Sequence, residues 1–128
     1  MIPQLLLHVL LPLLAGMTVY LLFRHGTWLH EHLFSGFTGW LIEPRNAFTK
    51  VIAYNVPDFC WAYSFTSALL IWNNYSRQRL KYLPLLILLV LLLSECVQYW
   101  VPDYFTFDWA DLVATSGGFL LSYFANRT

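Results

Sequence analysis

The aliphatic run from Leu85 to Leu93, unbroken by any polar side chain, constrains this chain more than any other feature in it. A helix at the surface of a soluble domain keeps one polar face, so a run with none has to be surrounded by apolar matter on all sides. Taken from Tyr82 to Trp100, it has the length that the hydrocarbon core of a bilayer demands, about 20 residues. Three further stretches read the same way: Gln4 to Phe23, Val51 to Trp72 and Trp109 to Ala125. The predicted fold is therefore an all-α membrane protein, a bundle of about four transmembrane helices. Four such spans take up roughly 80 residues, which in a chain of 128 leaves short connections and no second domain. Composition agrees, since 11% of residues are charged against about 25% in a soluble domain.

The first stretch is expected to stay as a span rather than be cleaved as a secretory signal. No Lys or Arg precedes it, and its core is longer than a signal's hydrophobic region. It closes at Arg24 and His25. Residues 26–50 have a different texture, mixing Trp28, Phe34, Phe37 and Trp40 with His30, Glu31, His32, Glu43 and Arg45, and broken by Gly36, Gly39 and Pro44. Too polar to span and too aromatic for a free loop, they predict an interfacial or re-entrant segment. In the last span Ala110, Ala114, Gly118 and Ser122 recur every fourth position, a small-residue face against which another helix can pack closely. Cys60 and Cys96 both fall in apolar stretches and read as small buried hydrophobes.

With four spans, both termini and the 73–81 loop share one side, which carries Arg77, Arg79, Lys81 and Arg127. The other side holds Arg24, Arg45 and Lys50. Basic residues in short loops mark the cytoplasmic face, so both termini are predicted there. All seven acidic residues then lie toward the outer side: Glu31 and Glu43 in the first connection, Asp103 and Asp108 in the second, and Asp58, Glu95 and Asp111 within helices near their outer ends. Tyr20, Trp28, Trp40, Tyr99, Trp100, Tyr104 and Trp109 make an outer aromatic belt; Trp72, Tyr75, Tyr82 and Tyr123 make an inner one.

A carboxylate inside a span is costly and has to face the bundle interior or water. Helical spacing sets Glu95, Gln98 and Tyr99 on one face, Asn55, Asp58 and Trp61 on another, and Asp108, Asp111 and Thr115 on a third. Three helices thus present acids at similar depth and predict an outward polar cup. The alternative is that these acids pair with Arg24, Arg45 or Lys50, or cap helix starts. His30 and His32 offer a divalent metal two ligands, but an H-x-H lacks the i, i+4 spacing that brings imidazoles together on a helix. No cofactor is predicted otherwise. His8 reads as a hydrogen-bonded histidine of the core or interface. Serines in the spans carry no hydrolase motif, and the lack of a basic patch excludes nucleic acid as a partner.

The segment SECVQYWVPDYFTFDWADLVATSGG resembles the hallmark of the VanZ-like family of small bacterial integral membrane proteins. That pattern joins E-x-x-Q at the end of one span, through a Pro-containing hairpin, to D-x-x-D-x-x-x-N-x-x-G entering the last. The matching positions are Glu95, Gln98, Pro102, Asp108, Asp111, Thr115 and Gly118; the upstream VPDFCW, with Asp58 and Trp61, resembles the D-x-x-W step of related short, uncharacterised bacterial membrane proteins. The resemblance covers about residues 55–122. The hairpin lacks the family's arginine, having Tyr104 and Phe105 nearby; Thr115 replaces its Asn, and Ala62 stands where a His often follows the upstream Asp. The resemblance implies a bacterial inner-membrane protein of the cell envelope. The family's founding member is associated with glycopeptide antibiotic resistance, and no reaction is assigned to the family as a whole.

Three functional classes follow from these readings. In the first, a non-enzymatic protein uses Asp58, Trp61, Glu95, Gln98, Asp108, Asp111 and Thr115 to bind a lipid headgroup, cell-wall precursor or antibiotic. The second is a metal-dependent membrane enzyme acting on a lipid-linked substrate. The third is a structural subunit whose polar face meets a membrane protein partner.

Overall fold

The computed structural model describes residues 1–23, 32, 42–100 and 108–127, and all regular structure among them is helical. Helix α1 spans Ile2–Phe23, α2 Ala47–Tyr75, α3 Leu83–Trp100 and α4 Trp109–Ala125. By length and composition α1, with 22 residues, is able to cross a membrane, and α3 contributes a shorter apolar stretch, Leu83–Gln98. Within α1, Leu6–Leu10 widens into a π turn, with the Leu11 N–H reaching back to the Leu6 carbonyl. Pro12 follows directly; it has no N–H to give the His8 carbonyl and its ring crowds that group, so the wider turn relieves the conflict.

Helix α2 is longer than the hydropathy predicts. Asn46 caps it, its Oδ1 accepting from the Thr49 N–H at 2.8 Å while its own N–H donates to Thr49 Oγ1 at 3.2 Å. This reciprocal capping box satisfies two backbone donors and starts the helix at Ala47, ahead of Val51. Residues 47–50, expected in the interfacial segment, therefore belong to α2, because a polar side chain such as Lys50 lowers hydropathy without interrupting backbone hydrogen bonds. Most of that segment, including Trp28, His30, Glu31 and Trp40, lies outside the described residues, as do Arg24 and the hairpin positions 101–107. At its far end α2 closes on Ser76, and Asn73 latches the following turn: the Leu80 N–H donates to Asn73 Oδ1 at 2.8 Å.

Helix α2 is the hub. Gly16 of α1 packs so closely on it that a Cβ there would come within 2.8 Å of Cys60 Cβ. On another face, a Cβ on Gly118 of α4 would collide with the Phe59 carbonyl oxygen and come within 3.0 Å of the Tyr63 nitrogen. The expected small-residue face of α4 thus includes its contact with α2, centred on Gly118 and Ser122, both buried. Helix α3 leans on this unit through Leu83, Ile87, Leu91 and Glu95, buried residues at four-residue steps. Its Leu85, Leu86, Leu89, Val90 and Leu93 all face outward.

The contacts also set direction. The Met1 ammonium donates to Tyr75 Oη at 3.1 Å and the Asn74 amide donates to the Asn126 carbonyl at 3.1 Å. The start of α1, the 73–81 turn and the end of α4 therefore meet at one end of the bundle. Cys60 and Cys96 are free thiols, Cys60 half-buried against α1 and Cys96 exposed on α3, so the expectation of two buried hydrophobes holds only in part.

Candidate functional site

Polar side chains take much of the interior, among them Ser64, Thr66, Ser67, Glu95, Thr115 and Ser122. Some of them have complete hydrogen bonds and others do not, Ser64 Oγ and Thr66 Oγ1 being buried with no partner among the described residues. Near the Asn126 end one group closes on itself: Ser67 Oγ and Ser122 Oγ lie 2.8 Å apart, and the Asn126 amide donates to Ser67 Oγ at 3.2 Å and to the Ser122 carbonyl at 2.9 Å. His8 Nδ1 lies 2.6 Å from Tyr63 Oη, tying α1 to α2, as expected of a hydrogen-bonded histidine.

The opposite half of the bundle is built around Glu95. The α3 row that carries Ile87 and Leu91 inward carries Glu95 inward as well, leaving it 5% exposed. From α4, Thr115 Oγ1, fully buried, donates to Glu95 Oε1 at 3.1 Å. The other carboxyl oxygen, Oε2, is buried with no hydrogen-bond partner among the described residues. Asp111 lies one helical turn before Thr115 on the same helix, and its carboxyl group is near enough to that of Glu95 to act on it electrostatically. A carboxyl group so placed requires a proton, a cation or a hydrogen-bond donor at its open oxygen.

The other expected residues distribute around this pair. Gln98, one turn beyond Glu95, is half-buried, while the side chain of Tyr99 lies outside the described residues. Asp58 and Trp61 line a groove of about 330 Å³ whose walls come from α1 and α2, including Gly16, Met17 and Tyr20. Trp61 also stacks on Phe65 with ring centroids 5.4 Å apart. Asp108 is exposed and caps α4, its Oδ1 accepting from the Ala110 N–H at 3.1 Å, as the capping alternative anticipates. Glu95, Thr115 and Asp111 thus form one centre, and Asp58 with Trp61 lines a separate groove between α1 and α2.

Asn55 has a larger place here than its spacing from Asp58 suggests. Its amide donates to the Val51 carbonyl at 3.2 Å, and its Oδ1 is buried without a partner among the described residues. Helices α2 and α4 run parallel, with Phe59 and Tyr63 at Gly118, Ser67 at Ser122 and Asn74 at Asn126. Carried toward the helix starts, that direction brings Asn55 toward the end of the bundle where α4 begins. A sequence signal for the α2–α4 contact was present in Ser67, a small hydroxyl residue of α2 opposite Ser122 on the small face of α4.

Among the described residues no group of three or more His, Cys, Asp and Glu side chains is arranged to hold a metal ion. Of the two histidines offered for that role, His30 lies outside the described residues. Comparison of the chain with family models, with curated proteins and with solved structures finds no match.

Proposed function

We propose that this is a multi-pass protein of the bacterial inner membrane, VanZ-like in kind, with both termini and the 73–81 loop in the cytoplasm. Its outward half carries an acidic site in which Glu95, Asp111 and Thr115, flanked by Asp58, Trp61 and Gln98, bind a polar or cationic envelope group. An amine on a lipid headgroup, a cell-wall precursor or an antibiotic fits, because an ammonium brings both positive charge and N–H donors to the open carboxyl oxygen. On this reading the protein binds its ligand and does not transform it.

The buried, half-satisfied Glu95 carries the proposal. The membrane part is supported by an interior rich in hydroxyl and amide groups beneath an outward-facing aliphatic surface on α1 and α3, the reverse of a soluble domain. Trp72, Tyr75 and Tyr82 stand exposed near one end of the helices, and Trp100 and Trp109 near the other, as interfacial belts require.

The test is binding of a panel of amine-bearing probes, phosphatidylethanolamine among them, to purified protein in nanodiscs. Glu95→Gln is expected to weaken the responding probe about tenfold or more, the scale of one charge-assisted hydrogen bond, with helicity unchanged. Equal binding by wild type and variant across the panel removes the site. Topology is checked separately in a Cys60→Ala/Cys96→Ala background: Ser76→Cys is to be shielded from an impermeant thiol reagent in intact cells and Asn46→Cys labelled. Labelling of Ser76→Cys and shielding of Asn46→Cys would reverse the orientation.

A further inference from the structure

The end of the bundle remote from Glu95 holds a second cavity, of about 340 Å³, between the end of α2, the turn into α3 and the end of α4. Three cations line it, Arg79, Lys81 and Arg127, together with the carboxamides of Asn73, Asn74 and Asn126, over a floor formed partly by Leu70, Pro84 and Tyr123. No carboxylate is among the lining side chains. The sequence shows why: no Asp or Glu occurs in residues 1–23, 59–94 or 112–128, so the elements meeting at this end supply no acidic side chain.

The three cations make only weak contacts. Arg79 Nη2 donates to the Asn74 carbonyl at 3.5 Å, the Lys81 ammonium lies 6.0 Å from the Tyr82 ring centre, and the Arg127 guanidinium lies 5.7 Å from that of Tyr123. Rings and one long bond leave most of the N–H donors of two guanidiniums and an ammonium without an anionic acceptor among the described residues. The turn itself is pinned by the Asn73–Leu80 latch, so Arg79 and Lys81 project from a fixed backbone. Like charges held around one cavity repel, and the arrangement is stable when an anion sits among them.

From this geometry we infer that the cavity is a phosphate-binding site. Its ligand carries a phosphate at the polar rim, between Arg79, Lys81 and Arg127, and the apolar floor accepts attached hydrocarbon. An anionic phospholipid headgroup satisfies both halves, and a small soluble phosphate satisfies the rim alone. The lipid source rests on the membrane reading above; the anion chemistry does not.

Native mass spectrometry of protein released from nanodiscs distinguishes the sources. From phosphatidylcholine discs doped with phosphatidylglycerol, wild type is expected to retain phosphatidylglycerol about tenfold or more over phosphatidylcholine, because interfacial cations favour the lipid with net negative charge. The Arg79→Gln/Lys81→Gln/Arg127→Gln variant loses that preference, as does the single reversal Arg79→Glu. Arg77→Gln, in the same loop but outside the cavity lining, retains it. Equal loss in Arg77→Gln, or none in the triple variant, overturns the site. In a second arm, lipid-free protein is heated in detergent with inorganic phosphate. A phosphate-dependent rise in Tm, absent in the triple variant and unmatched by any phosphatidylglycerol preference, assigns the site to a soluble phosphate and overturns the lipid source. Glu95→Gln is expected to leave both arms unchanged, so that failure here is separable from failure of the acidic site.

Discussion

The two ends of this bundle solve the same problem in opposite ways. At the Asn126 end, Ser67, Ser122 and Asn126 bond to one another across α2 and α4. At the other end Glu95 has Thr115 on one oxygen and nothing described on the second, and Asn55 has a buried oxygen equally open. Both sets are inward-facing and both lie near the α2–α4 seam, so position alone does not separate them. The chemistry of the open group does: Ser64 Oγ and Thr66 Oγ1 are also buried without a partner among the described residues, but they are neutral hydroxyls, and at Glu95 the open acceptor belongs to an ionisable carboxyl group. A closed network holds helices together, whereas an open acceptor beside a second carboxylate costs stability wherever it is kept, and such groups mark sites.

The largest expected effect comes from the seam on which both ends depend. Gly118→Ala forces a methyl group into the Phe59 carbonyl and the Tyr63 nitrogen. A loss of about 2–3 kcal/mol, the range for overpacking where backbone has to move, is expected in chemical unfolding of the detergent-solubilised protein. Loss below about 0.5 kcal/mol would show that α2 and α4 separate easily, and the contrast between the ends would then say little.

Smaller is the cost of opening the closed end. Ser67→Ala or Ser122→Ala leaves a buried hydroxyl or amide short of a partner and is expected to cost about 1 kcal/mol in the same assay. The double variant should cost clearly less than the sum, since both substitutions remove one bond. Strict additivity would mean that the 2.8 Å contact contributes nothing.

The smallest effect is expected at Glu95, and its sign sharpens the comparison. Glu95→Gln keeps an oxygen for Thr115 while replacing an ionisable carboxyl group with a neutral amide of the same shape. Stability should stay within about 0.5 kcal/mol of wild type or rise, as when a buried charge is replaced by a neutral group of the same shape. A fall of 2 kcal/mol or more would assign Glu95 to structure, as a partnered ion, and would deprive the acidic site of its main support.

Much of the helical layout was legible beforehand, because it depends on local properties. The starts and ends of α1, α3 and α4 follow from where apolar side chains begin and stop, and agree with expectation to within a few residues. The start of α2 does not, since its signal is the Asn46–Thr49 capping box, a hydrogen-bonding pattern that a reading by hydropathy passes over. The acidic candidates fared unevenly for a related reason. Glu95, Asp111 and Thr115 lie on inward faces of helices whose outward faces are plainly marked by aliphatic residues. Helix α2 has neighbours on several sides and no such marking, so the direction of Asp58, into the α1 groove, was not readable from spacing.

By itself the sequence determined that the chain forms long helices, that the acids within them lie toward one end and the clustered loop cations toward the other, and that α4 offers a small-residue face. These are consequences of side-chain type and of a helical period that holds within each segment. Only the tertiary structure decided which polar atoms are satisfied. The bonds that close the Ser67 network join residues 55 and 59 positions apart, and the one that holds Glu95 joins residues 20 apart on different helices. Such pairings depend on the rotation and register of packed helices, which the Gly118 contact sets and which no local pattern encodes. The open oxygen of Glu95 and the three cations around one cavity are outcomes of that packing.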